Sequence, residues 1–155
     1  MPETTTEATA RAIAAAHGNR PDELIEILHA VQSELGYVPE AAVPALAQAL
    51  NLSRAEVHGV VTFYHDFRDK PAGRHILKLC RAEACQSMGG EALVQRAEDR
   101  LGIACGETSA DGRVTLEPTY CLGLCATAPS AMIDGRIVGR MTAARLDALL
   151  KDAGA

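Results

Sequence analysis

Aromatic residues and positive charge are scarce in this sequence, and both shortages limit what the protein can be. Its 155 residues include no Trp, two Phe and three Tyr, so the core must be built from Ala, Leu, Val and Ile. The net charge of −5 opposes nucleic-acid binding, which needs a basic surface. No apolar run approaches the roughly 18 residues of a membrane span, and residues 1–9 lack the order of a signal peptide. We therefore expect a cytoplasmic globular protein.

Motifs of catalysis are also missing. The sequence has no G-x-G-x-x-G followed by an acidic residue and no Walker A loop. The C-x-x-C spacing of redox dithiols is absent. Five cysteines, an odd number, fit a disulfide framework poorly. We therefore expect no catalytic residue on this chain.

Four of the cysteines form two close pairs, which are the strongest signal in the sequence. Cys80 and Cys85 have a C-x4-C spacing, and Cys121 and Cys125 have a C-x3-C spacing. The stretch between the pairs is long enough for a helix and a hairpin that fold back and bring the two loops together. Four converging thiolates form a soft site that suits an iron–sulfur cluster or zinc.

Several interpretations of these pairs compete. A buried structural role explains single cysteines, but not two close pairs in Gly- and Ala-rich loops. Zinc is the serious alternative, although zinc ribbons usually use C-x2-C knuckles, and the longer loops here suit a larger two-iron cluster. A Rieske centre needs two His ligands, yet the His nearest to any of the four, His75, lies in a predicted strand. We therefore expect a [2Fe-2S] cluster, with a zinc-stapled interaction module as the alternative.

The first segment, residues 1–70, is predicted to be helical. The apolar periodicity indicates helices near residues 7–17, from Pro21 to Leu35, from about Pro39, and from Ser53, where a Ser-x-x-Glu capping box begins. These helices look too short to form a domain without another surface to pack on. The aromatic residues Phe63, Tyr64 and Phe67 are either a hydrophobic seam or a docking patch.

The second segment, residues 71–155, is predicted to be a small sheet with helices packed on it, which makes the whole chain an α+β protein. A strand at 75–79 delivers Cys80, and a helix follows from Gly90 to Leu101. Hairpins are expected at 105–117 and 131–138, each with an Asp-Gly turn, and Thr142 caps a last helix. Cys105 is expected in a strand. Gly123 can let a backbone amide approach a cysteine sulfur.

Several motifs resemble those of the thioredoxin-like [2Fe-2S] ferredoxin family. They are the C-x4-C at Cys80, the segment 120–129 (YCLGLCATAP), and the upstream segments 35–40 (LGYVPE) and 56–64 (EVHGVVTFY). The likeness covers about residues 20–150. It implies a thioredoxin-like domain after an N-terminal helical segment, with a [2Fe-2S] cluster whose ligands are Cys80, Cys85, Cys121 and Cys125. Cys105 matches no ligand of that family.

The same resemblance implies a function and partners. The family includes small flavoprotein-arm subunits of respiratory complex I and of soluble NAD-linked hydrogenases and formate dehydrogenases. The segment 81–90 (RAEACQSMGG) looks closest to the gamma subunit of molybdenum-containing, NAD-dependent formate dehydrogenases, with complex I or hydrogenase as the alternatives. The chain would then carry single electrons beside an FMN- and NAD-binding subunit, in a complex with a larger molybdenum/iron–sulfur catalytic subunit.

Overall fold

Two compact units follow one another along the chain. A computed structural model describes residues 5–154, so residues 1–4 and residue 155 of the two predicted segments lie outside the described residues. The first unit extends to Pro71, and the second begins at Ala72. Each unit has a hydrophobic core of its own.

In residues 5–71 the first unit has four α-helices: α1 (Thr5–Ala16), α2 (Leu24–Leu35), α3 (Ala42–Leu50) and α4 (Arg54–Phe63). A 3-10 turn at Pro21–Glu23 leads into α2, which ends at Gly36 with a φ of +82°. Ser53 and Glu56 form the predicted capping box, in which each side chain accepts a hydrogen bond from the other residue's backbone amide. The local signals in the sequence therefore place these helices correctly.

These helices bury a core among themselves, so the expectation that they need another surface is wrong. The fully buried side chains come from α1, α2, α3 and α4 alike: Ala10, Ala14, Ile27, Leu28, Val31, Leu46 and Val57. The side chain of Gln32 donates to the carbonyl of Asp66 at 2.7 Å and accepts from the amide of Arg68 at 2.7 Å. It thereby fixes the segment after α4, where Phe67 is buried while Phe63 is exposed.

The second unit is a four-stranded mixed sheet with helices. Its elements are β1 (His75–Cys80), α5 (Glu83–Ser87), α6 (Gly90–Leu101), β2 (Val114–Thr119), β3 (Ala131–Ile133), β4 (Arg136–Val138) and α7 (Ala143–Asp152). The strand order is β2-β1-β3-β4. β1 pairs in parallel with β2 and antiparallel with β3, and β3 and β4 form the predicted hairpin around Asp134 and Gly135. α5 was not predicted.

The first predicted hairpin is present, but its first arm is irregular. Gly112 donates to Ser109 in the predicted turn, residues 106–109 hydrogen-bond to Val114 and Leu116, and Thr108 forms an isolated antiparallel bridge with Thr115. The second arm is β2, which also pairs in parallel with β1 after a helical crossover, a pairing that was not predicted. β2 continues through Pro118 to Thr119, beyond the predicted end at residue 117. Pro118 is tolerated because β2 is an edge strand, so the missing amide costs no ladder hydrogen bond.

The core of the second unit lies between this sheet and the predicted apolar faces of α6 and α7. Its buried side chains include Leu77, Leu79, Leu93, Val94, Val114, Leu116, Leu146 and Leu150. β1 lies between β2 and β3 and is therefore held on both edges. Its last residue, Cys80, is consequently fixed by the ladders on either side. No helix among residues 5–154 is both long and apolar enough to cross a membrane.

Candidate metal centre

The inner pair of cysteines is placed by β1 and α5. Cys80 ends β1 opposite Thr119 of β2 and is 3% exposed, and Cys85 is 2% exposed. Cys85 lies within α5, whereas the sequence predicts it in a loop. A Cβ on Gly90 would come within 2.7 Å of the carbonyl oxygen of Cys85. The missing side chain therefore allows the start of α6 to lie directly against the backbone that carries both cysteines.

The outer pair of cysteines lies in the loop after β2. Cys121 and Cys125 are both exposed, and their sulfur atoms are 3.7 Å apart. Two thiolates bound tetrahedrally to one metal ion at about 2.3 Å lie about 3.8 Å apart. The amide of Gly123 donates a hydrogen bond to the Cys121 sulfur at 3.3 Å, as predicted, and Gly123 has the positive φ of +74° that this turn requires. The loop thus holds two thiols at a spacing suited to chelation.

The two pairs meet at the end of β1. Burial raises the pKa of the Cys80 thiol, but hydrogen bonds from the backbone amides of Ala82 and Cys121 and from the side chains of Cys85 and Ser130 outweigh burial, and the pKa lies below its ordinary value. The amide of Cys121 ties the outer loop directly to the inner pair. Amides aimed at a sulfur favour the thiolate, which is the form that binds metal.

The pKa of Cys125 also reflects how close the outer pair lies to the inner pair. Its pKa is raised by the hydrogen bond with Cys121, then by the charge of Cys121, by burial, and by the charges of Cys85 and Cys80. The Cys125 thiol is thus close enough to the other three to be affected by their charges, and a bound cation would offset that repulsion. All four sequence-predicted cysteines are thus brought to one end of the sheet.

The donor set fits the group that the sequence analysis expects. Within residues 5–154, no three His, Cys, Asp or Glu side chains are gathered closely enough to enclose a single metal ion. The four thiols stand as two pairs, one buried and one exposed. Four cysteine thiolates are the ligand set of a [2Fe-2S] cluster, in which each iron takes two of them.

Cys105 stands apart from the pairs. It lies in a turn after α6 and not in the predicted strand, and its amide donates to the side chain of Glu98 at 2.8 Å. Burial raises the pKa of the Cys105 thiol, although the charge of Arg81 acts in the opposite direction. The groups that act on this thiol are Arg81, Glu98 and Glu91, and not another cysteine, in contrast to the thiol of Cys125.

Ser130 was not predicted to be part of the site, but its hydroxyl lies 3.4 Å from the sulfur of Cys85 and its carbonyl accepts from the amide of Cys80. Its side chain is buried, at 3% exposure. No signal in the sequence marks this position, because a Ser between a proline and a short strand is usually a turn residue.

A protein in which a mixed sheet brings four thiols together belongs to the proteins that bind metal through cysteine. Comparison with protein families identifies its family: the model of the thioredoxin-like [2Fe-2S] ferredoxins matches residues 10–154. The chain belongs to the thioredoxin-like [2Fe-2S] ferredoxin family, and its cofactor is a [2Fe-2S] cluster. The expected α+β fold, a helical segment followed by a thioredoxin-like ferredoxin domain, is confirmed.

Similar proteins are components of NAD-linked complexes. The chain is 44% identical over 110 residues to the E subunit of NADH-quinone oxidoreductase from Pseudomonas aeruginosa, covering 71% of this chain and 66% of that protein. It is 38% identical over 127 residues to the corresponding protein of Escherichia coli, covering 82% and 76% respectively. A crystal structure of an NAD+-reducing [NiFe]-hydrogenase in the air-oxidized state matches with a TM-score of 0.73 and 31% identity, covering 85% of this chain and 23% of that chain. Each match thus spans only part of the relative.

Proposed function

We propose that this chain is an electron-transfer subunit of an NAD-linked oxidoreductase, one that carries single electrons on a [2Fe-2S] cluster and turns over no substrate itself. The arrangement of the thiols carries this proposal. An inner pair at 2–3% exposure anchors the group in the protein, and an exposed outer pair brings it to the surface. Electrons tunnel over short distances only, so a carrier needs its redox centre near the surface where its partner docks.

Cys80, Cys85, Cys121 and Cys125 are the proposed ligands. The cluster would supply one-electron chemistry, since it cycles between two charge states without making or breaking a bond to substrate. Backbone amides aimed at Cys80 and Cys121 would stabilise the negative charge of the bound cluster. A chain whose residues hold and insulate such a group needs no proton-transfer residue, which agrees with the lack of a catalytic motif.

The proposed partners follow from the named relatives. Two of them belong to NADH-quinone oxidoreductases and one is part of an NAD+-reducing hydrogenase, so we infer an FMN- and NAD-binding subunit as electron donor or acceptor, in the cytoplasm. For the parent complex we propose a formate dehydrogenase, because the segment 81–90 resembles its gamma subunit. A larger molybdenum/iron–sulfur subunit would then complete the assembly. The complex I and hydrogenase types are the alternatives.

The ligand set is tested by two matched substitutions in the full chain, purified without oxygen. Cys121→Ser should abolish or strongly weaken the cluster, because an alcohol oxygen is a harder, poorer ligand for iron than a thiolate. Cys105→Ser should leave the cluster intact, since Cys105 lies apart from the pairs. The measurements are the EPR spectrum after reduction with dithionite, together with iron and acid-labile sulfide.

The expected wild-type result is one reduced-state signal with equal amounts of iron and sulfide, at two of each per chain for a two-iron centre. A colourless protein that contains zinc would contradict the proposed function and leave a structural module. Equal loss of signal in both variants would contradict the ligand assignment.

The parent complex is tested by its metals. The chain is tagged in its own host, and the complex that copurifies is analysed for flavin, molybdenum and nickel. Flavin with molybdenum, and formate-dependent reduction of NAD+, is the expected result. Nickel would instead indicate the hydrogenase type, and flavin without either metal would indicate the NADH-quinone type.

A further inference from the structure

Ser130 occupies a buried position between the inner cysteines. It precedes β3, which pairs with β1, and its side chain is 3% exposed. Its backbone carbonyl accepts a hydrogen bond from the amide of Cys80 at 3.1 Å. The backbone of Ser130 is therefore fixed against the end of β1, and the side chain has little freedom to turn away from the sulfur atoms.

The hydroxyl of Ser130 faces a cysteine sulfur. Its oxygen lies 3.4 Å from the sulfur of Cys85. A buried hydroxyl normally pairs with an oxygen, because neutral sulfur is a weak acceptor. Sulfur becomes a strong acceptor only when it carries negative charge. The position of this donor is therefore explained if the Cys85 sulfur binds metal as a thiolate.

A second buried hydroxyl in the same sheet shows the ordinary arrangement. Thr115 is 5% exposed, and its hydroxyl oxygen accepts from the amide of Gly73 at 2.7 Å and shares a hydrogen bond with the hydroxyl of Thr108 at 2.7 Å. Thr115 pairs with Ile76 near the start of β1, four residues before the pair formed by Thr119 and Cys80. The partners of this buried hydroxyl are an amide and another hydroxyl, and they lie away from the inner cysteines.

We propose that Ser130 sets the reduction potential of the cluster by donating its hydroxyl hydrogen to the sulfur of Cys85. The inference rests on the proposed function, because it needs Cys85 to be a ligand. Reduction adds one electron, which comes from the flavin partner or from a chemical reductant, and no bond breaks. The added charge is shared with the sulfurs, so a donor to sulfur stabilises the reduced state more than the oxidised state. Loss of that donor must lower the potential.

The test compares variants of the full chain by potentiometric titration of the reduced-state EPR signal. Ser130→Ala should shift the reduction equilibrium about tenfold toward the oxidised cluster, which for a one-electron couple is about 59 mV to more negative potential. Ser130→Thr keeps a hydroxyl at the same atom and should titrate close to the wild type. Thr115→Val removes a buried hydroxyl of similar exposure away from sulfur, so it should lower the melting temperature without moving the potential.

A merely structural role for Ser130 predicts a different pattern. An unchanged potential in Ser130→Ala, or an equal shift in Thr115→Val, would overturn the proposal. Ser130→Gly is a second hydroxyl-free variant for the case in which alanine does not fit. If both hydroxyl-free variants lost the cluster while Ser130→Thr kept it, the hydroxyl would be an assembly requirement, and the tuning role would be refuted.

Failure of the inference is distinguishable from failure of the proposed function. The function fails when the wild type has no cluster, or when Cys121→Ser retains it at full occupancy. The tuning role fails only through the Ser130 and Thr115 variants, measured in protein that carries the wild-type amount of iron.

Discussion

Replacement of Gly90 with alanine, which adds one methyl group, should disturb the metal centre. A Cβ at this first residue of α6 would lie 2.7 Å from the carbonyl oxygen of Cys85, 3.0 Å from its carbonyl carbon and 3.3 Å from the carbonyl oxygen of Cys80. All three are backbone atoms, so no side-chain rotation relieves the contact. In Gly90→Ala, α5 or the end of β1 must move by several tenths of an ångström, and the inner thiols must move with it.

The size of the effect follows from two opposing terms. Overpacking an already filled position costs about 1–3 kcal/mol. Alanine gains up to about 1 kcal/mol over glycine inside a helix, but Gly90 is the first residue of α6 and gains only part of that. We therefore expect the second unit to lose about 1–2 kcal/mol of unfolding free energy. With a urea m-value of about 1 kcal/mol/M for a unit of this size, the midpoint should fall by about 1–2 M.

Urea titration of the holoprotein checks this prediction, with the visible absorbance of the cluster as the probe of the second unit. Gly59→Ala is the matched control, because Gly59 lies within α4 and a Cβ there meets nothing within 4 Å. That substitution should stabilise the first unit by about 0.4–1 kcal/mol, as followed by circular dichroism. A Gly90→Ala protein with wild-type iron content and an unchanged urea midpoint would refute the reasoning.

Two further predictions concern single side chains of the second unit. Thr142→Ala removes the side chain that accepts the amide of Arg145 at 3.2 Å at the start of α7, and should cost about 1 kcal/mol in urea unfolding, while Thr142→Ser should not. Burial raises the pKa of Asp134, but hydrogen bonds from His75 and the Ile76 amide outweigh it and lower the pKa below 3.8. Its stabilising effect is thus present above pH 3.8 and lost as the pH falls through the lowered pKa. Asp134→Asn should weaken the acid dependence of thermal unfolding between pH 5 and 2, in the apoprotein at low salt, and an unchanged dependence would contradict the assignment.

Local signals in the sequence predicted local structure well. The Ser53 capping box, the glycine after α2 and the Asp134-Gly135 turn are formed by residues close in sequence, and each appears in the structure where it was predicted. The four cysteines are a local signal of another kind, since a spacing of three or four residues already places two thiols within reach of one metal ion. The stretch between the two pairs is long enough to fold back, and its length therefore predicted that the pairs converge.

The features that were missed depend on distant contacts. The five-residue helix α5 is too short to show a helical period, and it is held by packing against the start of α6. The parallel pairing of β1 with β2 joins residues about 40 positions apart across a helical crossover, whereas the Asp111-Gly112 turn indicates only the local contact between residues 106–109 and β2. Ser130 could not be recognised because its role depends on the sulfur of Cys85, which lies 45 positions away in the chain.

The two borders of the sheet bear on how the protein behaves at high concentration. An open strand edge is a template on which other chains can add and aggregate. On the β2 side, the segment 106–109 covers the first half of the strand through hydrogen bonds to Val114 and Leu116, and Pro118 has no amide to offer along the second half. On the other side, β4 is three residues long, too short to nucleate a further strand. The sheet thus resists fibril growth by strand addition at both borders, independently of its redox role.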